Sequence, residues 1–201
     1  LPMISWSEDL PEKYKEKYGE DLTADVTSLF TGDREKDKVV RQKFWSLLAD
    51  LNRQYYYDAI RIWSQTMRDK NGGKGPISSG HCLREEYPAI HVPLDGNKLL
   101  VTSGFDIPGL DQLNSDPSIW TGSAWMAVFF PNSSAMLTDQ RRVMCEMSDF
   151  SQTMGKKGPV PVEEMQAATA WQMAFGVTDF TLYYTIDYGD KFPYRKEPEY
   201  K

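Results

Sequence analysis

The chain has 201 residues, 40% of them hydrophobic and 26% charged, the balance of a folded domain rather than a disordered one. That length allows one sizeable core but falls short of a complete (β/α)8 barrel, which takes about 250 residues. A net charge of −6 argues against a nucleic-acid partner, which needs clustered Lys and Arg. No apolar run reaches the ~20 residues that span a bilayer.

The order of elements begins with Met3-Ile4-Ser5-Trp6, read as a short buried strand, followed by the acidic turn Ser7-Glu8-Asp9. Pro11 suits the first turn of a helix reaching Tyr18, and Gly19 suits its C-cap. A second short helix is expected from Leu22 to Phe30. From Arg34 to Asp69, Phe44, Leu47, Leu48, Leu51, Tyr55, Ala59, Ile62 and Trp63 recur at spacings of three and four, predicting one long apolar stripe, kinked or split. Asn71-Gly72-Gly73-Lys74-Gly75-Pro76 stops that helix and lacks the spacing of a phosphate loop.

Ile77 to His81 then reads as a strand ending in polar residues, and Asp106 to Asp111 as a second strand end breaking into a turn. A helix is expected from Trp125 to Phe130, resuming after Pro131 as far as Met136. Arg142-Val143-Met144-Cys145-Glu146 is the clearest strand. A helix from Val162 to Phe175 ends at Gly176, and Val177 to Tyr184 closes the series as a strand. Strands alternating with helices require crossovers and hence a parallel sheet. The fold expected is α/β over residues 1–201 as one domain, with about five βα repeats. A doubly wound sheet would carry a glycine-rich turn after its first strand, and none is present. The abrupt opening reads as the middle of a domain.

Parallel α/β folds present chemistry at the carboxyl ends of their strands. That filter selects Glu8, His81 with Glu85 and Glu86, Asp106 with Asp111, Glu146 with Asp149, and Tyr184 with Asp187. Glu146 stands out, because it follows the buried run Val143-Met144-Cys145, and a carboxylate there needs partners or a functional reason. Its structural alternative is a tie to Arg142 or to backbone amides. His81 is either ligand-contacting or a buried hydrogen-bonded residue, and His91, between Ile90 and Val92, is structural. Gly-x-Ser-x-Gly is absent, and Ser78-Ser79-Gly80-His81 is too compact for a catalytic triad. Cys82 and Cys145 lack zinc spacing and are expected as two buried free thiols.

Ser79 to Glu86, Phe105 to Asp111, Arg142 to Glu146 and Phe175 to Phe180 occur in an order that resembles the catalytic barrel of bacterial glycoside hydrolases related to the family 106 α-L-rhamnosidases. Trp6-Ser7-Glu8-Asp9-Leu10-Pro11 is similar to the acidic strand end preceding a Tyr-x-x-x-Tyr-Gly helix in that group. The resemblance implies a (β/α)8 barrel, of which this chain holds the C-terminal repeats without the early strands or accessory β-domains. It implies a periplasmic or secreted enzyme degrading plant or host polysaccharide, inverting and calcium-associated, with Glu8 and Glu146 as the leading acid and base or nucleophile.

Glu85 and Glu86 stay open as substitutes in that pair. Glycoside hydrolysis needs two flanking carboxyl groups, and aromatic faces suit the apolar faces of sugar rings. Trp6, Trp120, Trp125 and Tyr184, with His81, Asp106 and Asp187, are therefore the expected substrate contacts. The competing expectation is a noncatalytic carbohydrate-binding or structural fragment of a larger barrel. Convergence of the carboxylates on one cleft separates the two.

Overall fold

A computed structural model describes residues 4–82, 90–111, 126–147 and 162–182. The first helix, α1 (Leu10–Tyr18), carries Pro11 in its opening turn and ends where Gly19 adopts φ 71° and donates its N–H to the Lys15 carbonyl at 2.8 Å. A 3-10 turn at Val26–Leu29 leads into α2 (Glu35–Asn52). Leu10 and Tyr14 of α1 meet Leu22, Leu29, Val40, Phe44, Leu47 and Leu48 in a helical core, and Ile4 packs against its edge. Asp37 is buried in the first turn of α2. It accepts hydrogen bonds from the Ser28 hydroxyl at 2.7 Å, the Arg34 N–H at 3.2 Å and the Arg34 guanidinium at 2.8 and 2.9 Å. The Arg34 guanidinium, and then the Ser28 hydroxyl, hold its carboxyl well below the usual carboxylate range.

The long helix continues through a π-turn at Arg53–Tyr57 into α3 (Asp58–Lys70). A π-turn accommodates an extra residue, so the face that looks inward advances there. Phe44, Leu47 and Leu48 before it are buried, whereas Tyr55, Ile62 and Trp63 are 59%, 55% and 58% exposed and Ser64 is buried instead. The single apolar stripe expected from the spacing is thus interrupted: its second half turns to solvent.

Beyond it come β1 (Ser79–Gly80), the short helices α4 (His91–Asp95) and α5 (Lys98–Thr102), β2 (Ile107–Asp111), α6 (Phe129–Leu137), β3 (Met144–Met147), α7 (Val162–Ala174) and β4 (Asp179–Leu182). The fold is mixed α/β. Its four strands are all parallel and ordered β1-β2-β3-β4. No strand precedes β1 among the described residues, so the strand expected at Met3–Trp6 is a correction. Ile4 serves the helical core, and Ser5 and Trp6 are exposed. Pro131 does not interrupt α6, because it sits in the first turn, where its missing N–H has no intrahelical partner to lose.

Paired residues of parallel strands point to the same face, and that face alternates along each strand. Leu110, Cys145 and Phe180 share one face and join Ala127, Val128, Ala135, Val143, Val177 and Trp171 in a second core beneath α6. Gly109 with Met144, and Asp111 with Glu146 and Thr181, line the opposite face. The apolar half of each short strand is thereby committed to packing, and the polar half is left for a site.

Candidate functional site at the carboxyl edge of the sheet

Glu146 is the penultimate residue of β3, half-buried, with Asp111 of β2 directly beside it in register and Thr181 of β4 on its other side. His81 follows the end of β1, and its ring reaches across β2 so that Nε2 lies 3.0 Å from Glu146 Oε2. The two side chains are 19% and 26% exposed, open enough to meet a ligand. Between the two strands, on the face that bears Glu146, stands Gly109 of β2. A Cβ there would lie 2.8 Å from the Met144 methyl, 2.9 Å from the Gly80 carbonyl oxygen and 3.0 Å from the Met144 carbonyl oxygen. Only glycine leaves both neighbouring strands this close.

The backbone of His81 is tied down from beneath. Cys82 is buried with Ala49 and Val101, and its Sγ lies 3.8 Å from the Tyr57 hydroxyl, the last residue of the π-turn. Burial drives the Tyr57 hydroxyl far above the ordinary phenol range, so it stays protonated. Tyr57 also stands edge-on to Phe105 at 4.9 Å between ring centroids, and the Phe105 ring occupies the place a Cβ on Gly80 would take, 2.6 Å away. The π-turn therefore braces the end of β1 from which His81 projects.

Hydrogen-bond chemistry fixes part of the proton inventory. His81 Nδ1 lies 2.8 Å from the Cys82 carbonyl oxygen. A carbonyl only accepts, so Nδ1 carries a hydrogen and donates it. The Nε2–Oε2 contact then holds one proton between an imidazole nitrogen and a carboxylate oxygen. Beside that pair stands Asp111, a second carboxyl group on the adjacent strand.

The remaining sequence candidates fall elsewhere. Asp106 stands at the amino end of β2, opposite the site, where it accepts from the Ser78 N–H at 3.0 Å and the Ser78 hydroxyl at 2.9 Å and pairs with Arg68 at 3.3 Å. It stitches β1 to β2 rather than ending a strand. Glu8 and Trp6 lie exposed in the segment before α1, beside the helical core, and no described contact links them to the sheet. Arg142 pairs with Asp179 instead of Glu146, its Nε lying 3.1 Å from Asp179 Oδ2. Cys82 and Cys145 are both buried free thiols. Glu85, Glu86, Trp120, Trp125, Tyr184 and Asp187 lie outside the described residues, as does Asp149.

Sequence reasoning placed Asp111 at a strand end but did not pair it with Glu146. The signal was present: Gly109-Leu110-Asp111 and Met144-Cys145-Glu146 each end in an acid after a buried residue. Gly109 and Tyr57 carried no comparable mark. For calcium, no group of three or more His, Cys, Asp or Glu among the described residues is placed to hold a metal ion, and Asp106 is engaged with Ser78 and Arg68. Among the described residues no helix is long and apolar enough to cross a membrane. No protein-family model, no curated protein and no solved structure matches the chain.

Proposed function

We propose that this protein is a glycoside hydrolase acting on plant or host oligosaccharide or polysaccharide, with Glu146 as one of its two working carboxylates. The observation that carries this reading is the register pairing of Glu146 with Asp111 on one face at the carboxyl edge of a parallel sheet. Two carboxyl groups flanking a bond are what glycosidic cleavage needs, one to protonate the leaving oxygen and one to attack the anomeric carbon or activate water.

The sequential strand order supports placing the sheet within a (β/α)8 barrel, since a doubly wound sheet reverses its order at a switch point. On that reading the face bearing Asp111 and Glu146 looks into the barrel, and the α6 face is its outer layer. An α-L-rhamnosidase-like specificity and a secreted or periplasmic location belong to the same proposal through the family resemblance.

Side chains in register on neighbouring strands start from backbones about 4.8 Å apart. That brings two such carboxyl groups nearer the ~5 Å arrangement of retaining enzymes than side chains on opposite walls of a cleft, where the ~6.5–9.5 Å of inverting ones is met. We therefore read the pair as retaining, although the family resemblance implied inversion. A panel of aryl glycosides, including α-L-rhamnoside, offered to the full-length protein tests the function. Proton NMR of the first-formed anomer tests the stereochemistry. Release of aryl alcohol with the anomer retained is expected. No hydrolysis across the panel refutes the enzyme reading, and an inverted first product refutes the pairing with Asp111.

A further inference from the structure

We propose that His81 is the positioning residue that assigns Glu146 its role: as an imidazolium it holds Oε2 and keeps Glu146 an ionised nucleophile or base, never the proton donor. The inference rests on the glycosidase reading for the word nucleophile, and on geometry alone for the state of the pair. Nδ1–H is bonded to the Cys82 carbonyl at 2.8 Å, which orients the ring. Nε2 then faces Glu146 Oε2 at 3.0 Å. Were Glu146 the acid, its transferable proton would sit on the oxygen that meets the sugar, Oε1. The Nε2–Oε2 bond would then need a second proton, making the pair cationic.

With a single proton the pair is neutral, and its favoured arrangement is Nε2–H⁺ against a carboxylate, a charge-assisted bond. Oε1 is left bearing negative charge toward the substrate. In the first step an Oε1 lone pair bonds to the anomeric carbon as the glycosidic C–O bond breaks. The leaving oxygen takes its proton from the partner carboxyl, for which Asp111 is the adjacent candidate.

Charged and titratable groups around the pair come from every described neighbouring element. Asp111 on β2 shares the face, and Tyr57 of the π-turn lies behind Cys82. The Arg68–Asp106 pair and the Arg142–Asp179 pair close the far end of the strands. Asp111 is the carboxyl group among these that shares the Glu146 face at the His81 end of the strands.

The test is nitrogen-15 NMR of the histidine rings in the whole chain, which does not depend on turnover. His81 is expected to show both nitrogens protonated at about pH 8, where an ordinary imidazole of pKa about 6.5 is neutral. Glu146→Gln should lower its titration midpoint by about one unit or more. A bare Nε2 at neutral pH in the unsubstituted chain overturns the proposal, and so does a midpoint indifferent to Glu146→Gln. If the variant does not fold, the titration of the unsubstituted chain decides alone. A protein inactive on every glycoside but with His81 doubly protonated would sink the enzyme reading and leave this charge assignment standing.

Discussion

Replacing Gly109 by Ala should loosen the site and the sheet together. The added methyl would lie 2.9 Å from the Gly80 carbonyl oxygen on β1 and 3.0 Å from the Met144 carbonyl oxygen on β3, with the Met144 methyl at 2.8 Å. The methionine tip can swing away, but the two carbonyls belong to the backbone of flanking strands. Restoring ordinary contact requires β1 and β3 to withdraw by roughly half an ångström, an overpacking cost of about 1–3 kcal/mol. With a urea slope near 2 kcal/mol/M, the unfolding midpoint should fall by about 1 M. The same movement lengthens the 3.0 Å bond from His81 to Glu146 toward the limit of hydrogen bonding. Equilibrium urea unfolding followed by circular dichroism reads the first effect, and the His81 ring signals read the second. A midpoint unchanged within error, with His81 signals unmoved, would refute the close approach of the three strands.

Other outcomes follow from the same structure. Phe44→Ala should cost about 3–5 kcal/mol, because the ring is fully buried in the helical core, yet should leave the His81 signals in place; calorimetry and NMR check both halves. Asp106→Ala should destabilise by about 1–3 kcal/mol, as the Ser78 N–H and hydroxyl lose their acceptor. It should not alter KM for any glycoside hydrolysed; a raised KM with unchanged stability would return Asp106 to the substrate contacts.

Stability should also fall at both extremes of pH. Asp37 is depressed by Arg34 and Ser28, so its contribution is complete above its ordinary value of 3.8 and is lost as pH drops below that toward its folded value. Burial pushes the Tyr14 hydroxyl up to about 12, so its contribution is complete below 10 and is lost as pH climbs toward 12. Chemical denaturation across pH should reveal both limbs, and Asp37→Asn and Tyr14→Phe should each flatten the matching one.

Local signals in the sequence translated well into local structure. Gly19 and Gly176 end their helices at positive φ, Pro11 opens one, and Met144–Met147 forms the strand expected around Glu146. Glu146 and His81, each at the end of an expected strand, do meet. The failures were of longer range. Whether Asp106 begins or ends β2 depends on its pairing with Ser78, twenty-eight residues away. That Asp111 stands beside Glu146 is a matter of register between strands, which neither segment encodes alone. The solvent-facing half of the long stripe followed from the π-turn at Arg53–Tyr57, whose extra residue no periodicity of three and four anticipates. Trp6 and Glu8 stand where a short buried strand and its acidic turn are expected, but Ile4 is claimed by the helical core and Trp6 is exposed.

If Glu146 performs nucleophilic or base chemistry at a glycosidic bond, steady-state turnover of an aryl glycoside by Glu146→Ala, with and without azide, reads it out. Its kcat/KM should fall at least about a thousandfold, or about 4 kcal/mol, whatever the leaving group. Azide should then restore turnover and yield a glycosyl azide of inverted configuration. A folded Glu146→Ala protein that keeps turnover within about tenfold of the original, or about 1.4 kcal/mol, would contradict it.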